Sequence, residues 1–244
     1  MQYLIGVDDT DNLESRGTGY RARCMGLKIQ ETGIATLKHV VRHQLLVDPQ
    51  IPYTSHNSSV CLVVETKQDG FESLVNLCEA YLCEESAPGS DAGLCIAPLE
   101  AIKETLQTFG QSAKEKVLLR KDALALAQQE EVFLKGLTGD KNGIIGALAA
   151  IGLQAGGNDG RFIWAKGVRE LSGVYSAAAL YDTTGIDIIQ SINQMPVQDS
   201  ARINVDPWPR PVLINRQAVL LVEPAPESQD YEWQVLPKAV IKKY

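Results

Sequence analysis

The stretch LIGVDDTDNLESRGTGY, Leu4–Tyr20, begins in an apolar run and ends where a helical pattern begins. Tyr3–Val7, interrupted only by Gly6, is too short for a helix and reads as a buried strand. Asp8, Asp9 and Asp11 follow at once with the Thr10 hydroxyl among them, then the turn-rich Asn12–Gly17. A buried strand holds its last residues rigidly, so these carboxylates are presented at fixed spacing. Extended alternation puts Asp8 on one side and Asp9 with Asp11 on the other. Three acids in four residues repel one another unless a cation sits among them, and hard oxygen ligands of this kind suit Mg²⁺. Arg16, Gly17, Thr18 and Gly19 fall where main-chain N–H groups are free at a helix start, a natural phosphate site. The same residues equally describe solvated turn carboxylates, with Thr10 or Asp11 as a cap and Thr18 as a helix N-cap. No G-x-x-x-x-G-K-[ST] and no G-x-G-x-x-G occurs in the chain.

Downstream, Thr18–Thr32 is a helix with Ala22, Met25 and Ile29 on one face and Gly33 as its stop. Leu37–Val47, carrying His39, Arg42 and His43, is a strand, and Asp48–Ser59 is a polar loop. Val60–Glu65 is a strand, Phe71–Cys83 a helix and Leu94–Ala97 a strand. The order β-α-β-β-α-β is the ferredoxin-like arrangement, and it puts the Asp cluster at an edge of the sheet near the first helix. Beyond Pro98, Leu99–Phe109 and Ser112–Leu134 read as helices parted by Gly110, and Gly143–Ile151 as a helix stopping at Gly152. Arg161–Ala165, Val212–Ile214, Ala218–Val222 and Val235–Ile241 read as strands, Ser176–Ile192 fits neither period, and Trp208 packs under a proline-rich turn. The expected fold is mixed α+β: a ferredoxin-like half, 1–98, and a helix-rich half with additional strands, 99–244, packed closely on it. Gly143 and Gly146, three apart after Lys141 and Asn142, admit a ligand or another backbone with equal ease.

Composition narrows the function. With 244 residues, 45% hydrophobic and 22% charged, the chain can bury a sizeable core as one large domain or two modest ones. Its longest apolar runs are far too short to cross a bilayer, and the amino terminus lacks the pattern of a secretion signal. Cys24, Cys61, Cys78, Cys83 and Cys95 form no C-x-x-C and suit reduced thiols, so a cytoplasmic protein is expected. A net charge of −7 argues against a broad grip on a polyphosphate backbone.

The run Ile5–Asp11 with Arg16-Gly17 and Thr18–Tyr20 resembles the catalytic amino-terminal part of archaeal 2-agmatinylcytidine synthetase. That family modifies the wobble cytidine of an isoleucine tRNA with ATP and agmatine. The resemblance continues at Asp48–Tyr53, at Gly143–Gly152 and more weakly at Pro211-Val212-Leu213 with Arg216. It implies a kinase-like, ATP- and Mg²⁺-binding part accompanied by a ferredoxin-like part. It carries the metal and catalytic aspartates onto Asp8, Asp9 and Asp11, and a phosphate-accepting threonine onto Thr18. Gly143 and Gly146 would face the nucleotide, with Asn142, Thr10, Arg16 and Gly17 around it. The family's oligonucleotide-binding barrel and zinc ribbon are not expected within these 244 residues, which lack paired cysteines, and its basic loop is the neutral Thr54–Ser59, which keeps Asn57.

The function expected from this is an ATP- and Mg²⁺-dependent phosphotransferase or ATP-cleaving enzyme acting on an unidentified acceptor, with a nucleotide and a small-molecule substrate as its partners. His56 and Asn57 are the candidate substrate contacts, and Arg16 and Arg21 are candidate partners of phosphate oxygens. The alternatives are a nucleotide- or phosphate-binding regulator or subunit without turnover, and tRNA modification with the RNA-binding modules supplied in trans. The acidic balance ranks RNA last, and no membrane partner is expected.

Overall fold

The computed structural model describes residues 1–54, 56–67, 70–193 and 195–242, and divides the chain into two units, Met1–Gly156 and Gly157–Tyr244. In the first, β1 (Gln2–Asp8), α1 (Thr18–Glu31), β2 (Thr36–Gln44), β3 (Ser58–Glu65), α2 (Phe71–Glu85) and β4 (Gly93–Pro98) follow one another. The strands pair antiparallel in the order β4-β1-β3-β2, the interleaved ferredoxin-like sheet. β1 is buried from Tyr3 to Val7 because it has a strand on each side and a helix on each face. The Asp cluster therefore stands at the end of a central strand, not at an edge of the sheet.

One face carries α1 and α2. A Cβ on Gly26 of α1 would lie 2.9 Å from the Leu37 methyls, and the Tyr3 ring packs 6.2 Å from that of Phe71. The other face, Leu4, Cys61, Val63, Cys95 and Ala97, joins the apolar core under α5 (Ile144–Gly156). Here Gly6 is obligatory. Its Cβ would fall 2.0 Å from the Ala147 carbonyl oxygen, so only a glycine lets the helix backbone rest on the strand.

The segment after β4 departs from its periodicity. A 3₁₀ turn (Leu99–Ala101) precedes α3 (Glu104–Glu115), which runs straight through Gly110, and α5 likewise continues past Gly152. Both glycines are crossing points: a Cβ on Gly110 would meet the Ala149 oxygen at 2.9 Å, and one on Gly152 the Leu106 oxygen at 2.1 Å. Ser112–Leu134 is not one helix. It holds the end of α3, then α4 (Arg120–Gln129), then the first residues of β5 (Phe133–Gly136), which pairs antiparallel with β4. Because β5 extends the first sheet and α5 packs on β1, residues 99–156 belong with the ferredoxin-like part. The boundary between the two compact units falls at Gly156.

The second unit contains β6 (Arg161–Ala165), β7 (Val174–Ser176), α6 (Ala177–Thr183), β8 (Ile188–Ser191), β9 (Arg202–Asn204), β10 (Val212–Ile214), β11 (Gln217–Pro224), β12 (Trp233–Val235) and α7 (Lys238–Ile241). Its strands run β6-β10-β11-β12-β9-β7, with β8 parallel to β11. Ser176–Ile192 fits no single period because it contains a helix and a strand. Val235–Ile241 is the end of β12 and a short helix, turned by Pro237. Trp208 is held between Arg169 and Arg210, 4.6 and 4.8 Å from its ring. No helix among the described residues is long and apolar enough to cross a membrane.

Candidate functional site

Asp8 ends β1 opposite Gly93 of β4, on the face covered by α5. A Cβ on Gly146 would lie 1.8 Å from Asp8 Oδ2 and 2.5 Å from its Cγ, so the missing side chain makes the space the carboxylate occupies. Gly143 is wedged among backbone: a Cβ there would come within 2.4 Å of the Asp91 oxygen and 2.9 Å of the Asp8 oxygen. The glycine-led start of α5 and the acidic corner therefore meet, though Asp8 and Gly143 lie 135 positions apart. Both glycines are buried and serve that approach directly.

Asp9 breaks the extended alternation. Its φ of 52° is left-handed, a conformation Asp tolerates better than most residues, and it turns the chain so that Thr10 tucks inward. Asp11 then points to the start of α1. Its Oδ1 accepts from the Thr18 N–H at 3.0 Å and the Thr18 hydroxyl at 2.7 Å, and its Oδ2 accepts from the Thr54 hydroxyl at 2.8 Å. The Thr10 N–H and hydroxyl both donate to Thr18 Oγ1 at 3.1 Å. Thr10 and Thr18 are buried, and Gly17 occupies the N-cap position without a side-chain cap. Asp11 takes that capping role across the loop.

A fourth carboxylate, Asp91, completes the corner. Its oxygens accept from the Asp140 N–H at 2.6 Å and from Asn142 Nδ2 at 3.0 Å, while its carbonyl accepts from the Gly143 N–H at 3.0 Å. Asp91 thus ties the turn before α5 to the end of β1. Nothing in its local sequence marks Asp91, although the topology carries the signal. In an antiparallel 4-1-3-2 sheet β4 starts where β1 ends, so an acid just before β4 joins those just after β1.

Electrostatics set Asp8 and Asp9 apart. Burial, then the neighbouring charges of Asp9 and Asp11, hold the Asp8 carboxyl well above the usual carboxylate range, against a lowering bond from the Asp9 main chain. Burial and the Asp91 and Asp11 charges push Asp9 up to about 6, again partly offset by a main-chain bond, from Asp91. Carboxyls that hold protons this tightly lack a compensating positive charge. Among the described residues, no three His, Cys, Asp or Glu side chains form a ready cation cage.

The remaining candidates are distributed unevenly. Arg16 is exposed and stacks 4.4 Å from the Tyr20 ring. Arg21 donates to the Glu85 and Arg16 carbonyls, tying the Asn12–Gly17 loop to the end of α2. Asn142 is exposed and bound to Asp91. Asn57 Nδ2 donates to the Leu46 oxygen at 2.6 Å, which closes its own loop, and His56 is exposed on that loop. Thr54 is the loop residue that reaches the acidic corner.

These features define an α+β protein whose central strand ends in an acidic corner beside a glycine-led helix. The chain resembles TiaS, the 2-agmatinylcytidine synthetase of an isoleucine tRNA, over about three-fifths of its length. It is 31% identical to the enzyme of that name from Methanosarcina mazei over 158 residues, 61% of this chain and 35% of the relative. The protein of the same name from Methanosarcina acetivorans is 29% identical over 156 residues, with the same shares. Among solved structures, a complex of TiaS with its isoleucine tRNA and ATP matches with a TM-score of 0.55 at 26% identity. A complex of TiaS with the tRNA, AMPCPP and agmatine matches with 0.54 at 25%. Each covers 62% of this chain and 36% of the other. The matched stretch thus spans about a third of these relatives' own length. No family model matches the chain.

Proposed function

We propose that the Met1–Gly156 unit is an ATP-dependent catalytic part of the synthetase type, cleaving ATP with Mg²⁺ and passing a phosphoryl group to an acceptor. The observation that carries this reading is the meeting of Asp8, Asp9 and Asp91 with the start of α5, where burial and neighbouring charge hold the Asp8 and Asp9 carboxyls above the usual carboxylate range. The similarity to proteins solved with ATP and with AMPCPP supports the nucleotide.

Magnesium fits the donor set. It takes one or two carboxylates and fills its remaining positions with water and phosphate oxygens, so no three-residue cage is needed. Asp8 and Asp9 would hold it, and the ion would neutralise charge on the phosphates when bound. Asp11, occupied by Thr18 and Thr54, is better placed as a base and organiser. Its Oδ1 stands 2.7 Å from the Thr18 hydroxyl, within reach of that proton were Thr18 to accept a phosphoryl group. Thr18 would first have to leave its bonds with Thr10, so acceptance would require the Thr10–Thr18 segment to open. Gly143 and Gly146 act by bringing α5 to Asp8.

The test is ATP turnover and Mg²⁺-dependent nucleotide binding by the native chain and by Asp9→Asn. The reading expects both to collapse in the variant, and native-level turnover there would remove the aspartates from the mechanism. A second reading, tRNA as the acceptor, is favoured by the tRNA in the solved relatives and opposed by the net charge of −7. A steep fall of RNA affinity with salt would support it.

A further inference from the structure

We propose that Arg42 is a phosphate-binding residue of this site, the cation that faces the triphosphate from the β2 side. The inference rests on the ATP reading above and adds to it a residue that neither the sequence motifs nor the comparisons assign. Arg42, Val60 and Val7 lie in one row across β2, β3 and β1, because Arg42 pairs with Val60 and Val60 with Val7. Two interstrand spacings, about 10 Å, separate Arg42 from the last apolar residue before Asp8. A long side chain covers much of that gap. Val7 and Arg42 are on the α1 face, the side on which Asp11, Thr18 and Thr54 are knotted together.

The guanidinium is anchored at one nitrogen only. Its Nε donates to Ser58 Oγ at 2.8 Å, which fixes the plane of the group. Its two terminal nitrogens make no hydrogen bond or ion pair among the described residues. Burial pulls the Arg42 guanidinium down and the Asp11 charge offsets this only in part; the Asp11 oxygens already accept three bonds from Thr18 and Thr54, so Arg42 is not consumed in pairing with it. A half-buried arginine with a free two-nitrogen edge is the usual fork for phosphate oxygens. The other arginines of this corner are engaged elsewhere: Arg16 on Tyr20, Arg21 on main-chain oxygens. Asp8 and Asp91 stand at the same strand ends, beside the start of α5. A triphosphate drawn in by Mg²⁺ on the Asp8 and Asp9 side would therefore meet a positive charge on the other.

The experiment measures binding of Mg²⁺–ATP, inorganic tripolyphosphate and adenosine to the native chain, Arg42→Ala and Arg42→Gln by titration calorimetry. Losing a charge-assisted contact predicts roughly 10- to 100-fold weaker binding of ATP and tripolyphosphate. Adenosine binding should be unchanged, a split that general loosening of the fold would not produce. Arg42→Gln keeps a donor near Ser58 and decides the matter should the alanine variant fail to fold. Native affinity for both phosphate ligands in either folded variant overturns the role of Arg42 and leaves the ATP reading standing. Native binding of tripolyphosphate without ATP, lost in the variants, sinks the ATP reading and keeps Arg42. A native chain that binds neither sinks both.

Discussion

Gly146→Ala places one methyl group into the contact that defines the site. The added Cβ would sit 1.8 Å from Asp8 Oδ2, 2.5 Å from its Cγ and 3.0 Å from its Cβ. Real Cβ contacts essentially never fall under 3.0 Å, so the carboxylate oxygen has to retreat by about 1.2 Å. Asp8 can do this by rotating, since the obstructing atoms are the end of a side chain. Overpacking costs about 1–3 kcal/mol, and alanine in place of glycine in a helix returns about 1. The net loss is therefore roughly 0–2 kcal/mol, a fall in Tm of no more than about 8 °C for a chain of this size. Activity responds more strongly, because a displacement of this order in a catalytic group costs on the order of 100-fold. The assay is steady-state ATP turnover beside a thermal melt. A folded variant with native turnover would refute the placement of Asp8 in the chemistry. A chain that no longer folds would refute the claim that only a side chain has to move.

Gly6→Ala is the contrasting case: its Cβ meets the Ala147 carbonyl oxygen at 2.0 Å, a backbone atom that cannot rotate away. A loss of about 3 kcal/mol or more is expected in urea unfolding. Acid sensitivity carries two opposing signs. Burial pulls His39 down to about 4 and His43 down to about 3, so below pH 6.5 the unfolded chain takes up protons that the folded chain refuses, and stability falls as pH falls. That amounts to roughly 2 kcal/mol per histidine by pH 5. Asp8 and Asp9 act the other way, because the folded chain protonates Asp9 from about pH 6 downward while the unfolded chain waits until about 4. The double variant Asp8→Asn/Asp9→Asn should therefore lose stability more steeply between pH 6.5 and 5 than the native chain, and equal slopes in urea midpoints would overturn the assignment. Thr18→Val strips the hydroxyl at which the Thr10 and Asp11 bonds meet and should cost about 1–3 kcal/mol in the same measurement.

What could be read from the chain alone followed local rules. Val60–Glu65 and Leu94–Ala97 are apolar and bounded by turn residues, and Ala22, Met25 and Ile29 recur at helical spacing, so their period survives folding. The β-α-β-β-α-β order then leaves few ways to pair the strands, and the 4-1-3-2 sheet is one of them. The loop glycine Gly33 was legible too, with a φ of 75° and nothing against it. Local rules failed where a distant element decides. Gly110 and Gly152 look like helix stops, yet each is the one residue small enough for α3 and α5 to cross. Phe133–Gly136 looks like the tail of a helix, but the unpaired edge of β4 recruits it as a strand.

The site divides along the same line. Asp8, Asp9 and Asp11 stand out in sequence because like charges so close together demand an explanation. Their separate tasks do not, since side-chain alternation ends at the left-handed turn of Asp9: Asp8 goes to α5, Asp11 to α1. Asp91, Thr54 and Arg42 join them only through strand pairing and a loop that folds back. Hydrophobic period is a property of neighbours in the chain, whereas the protonation, reach and partners of a side chain belong to whatever the fold brings beside it.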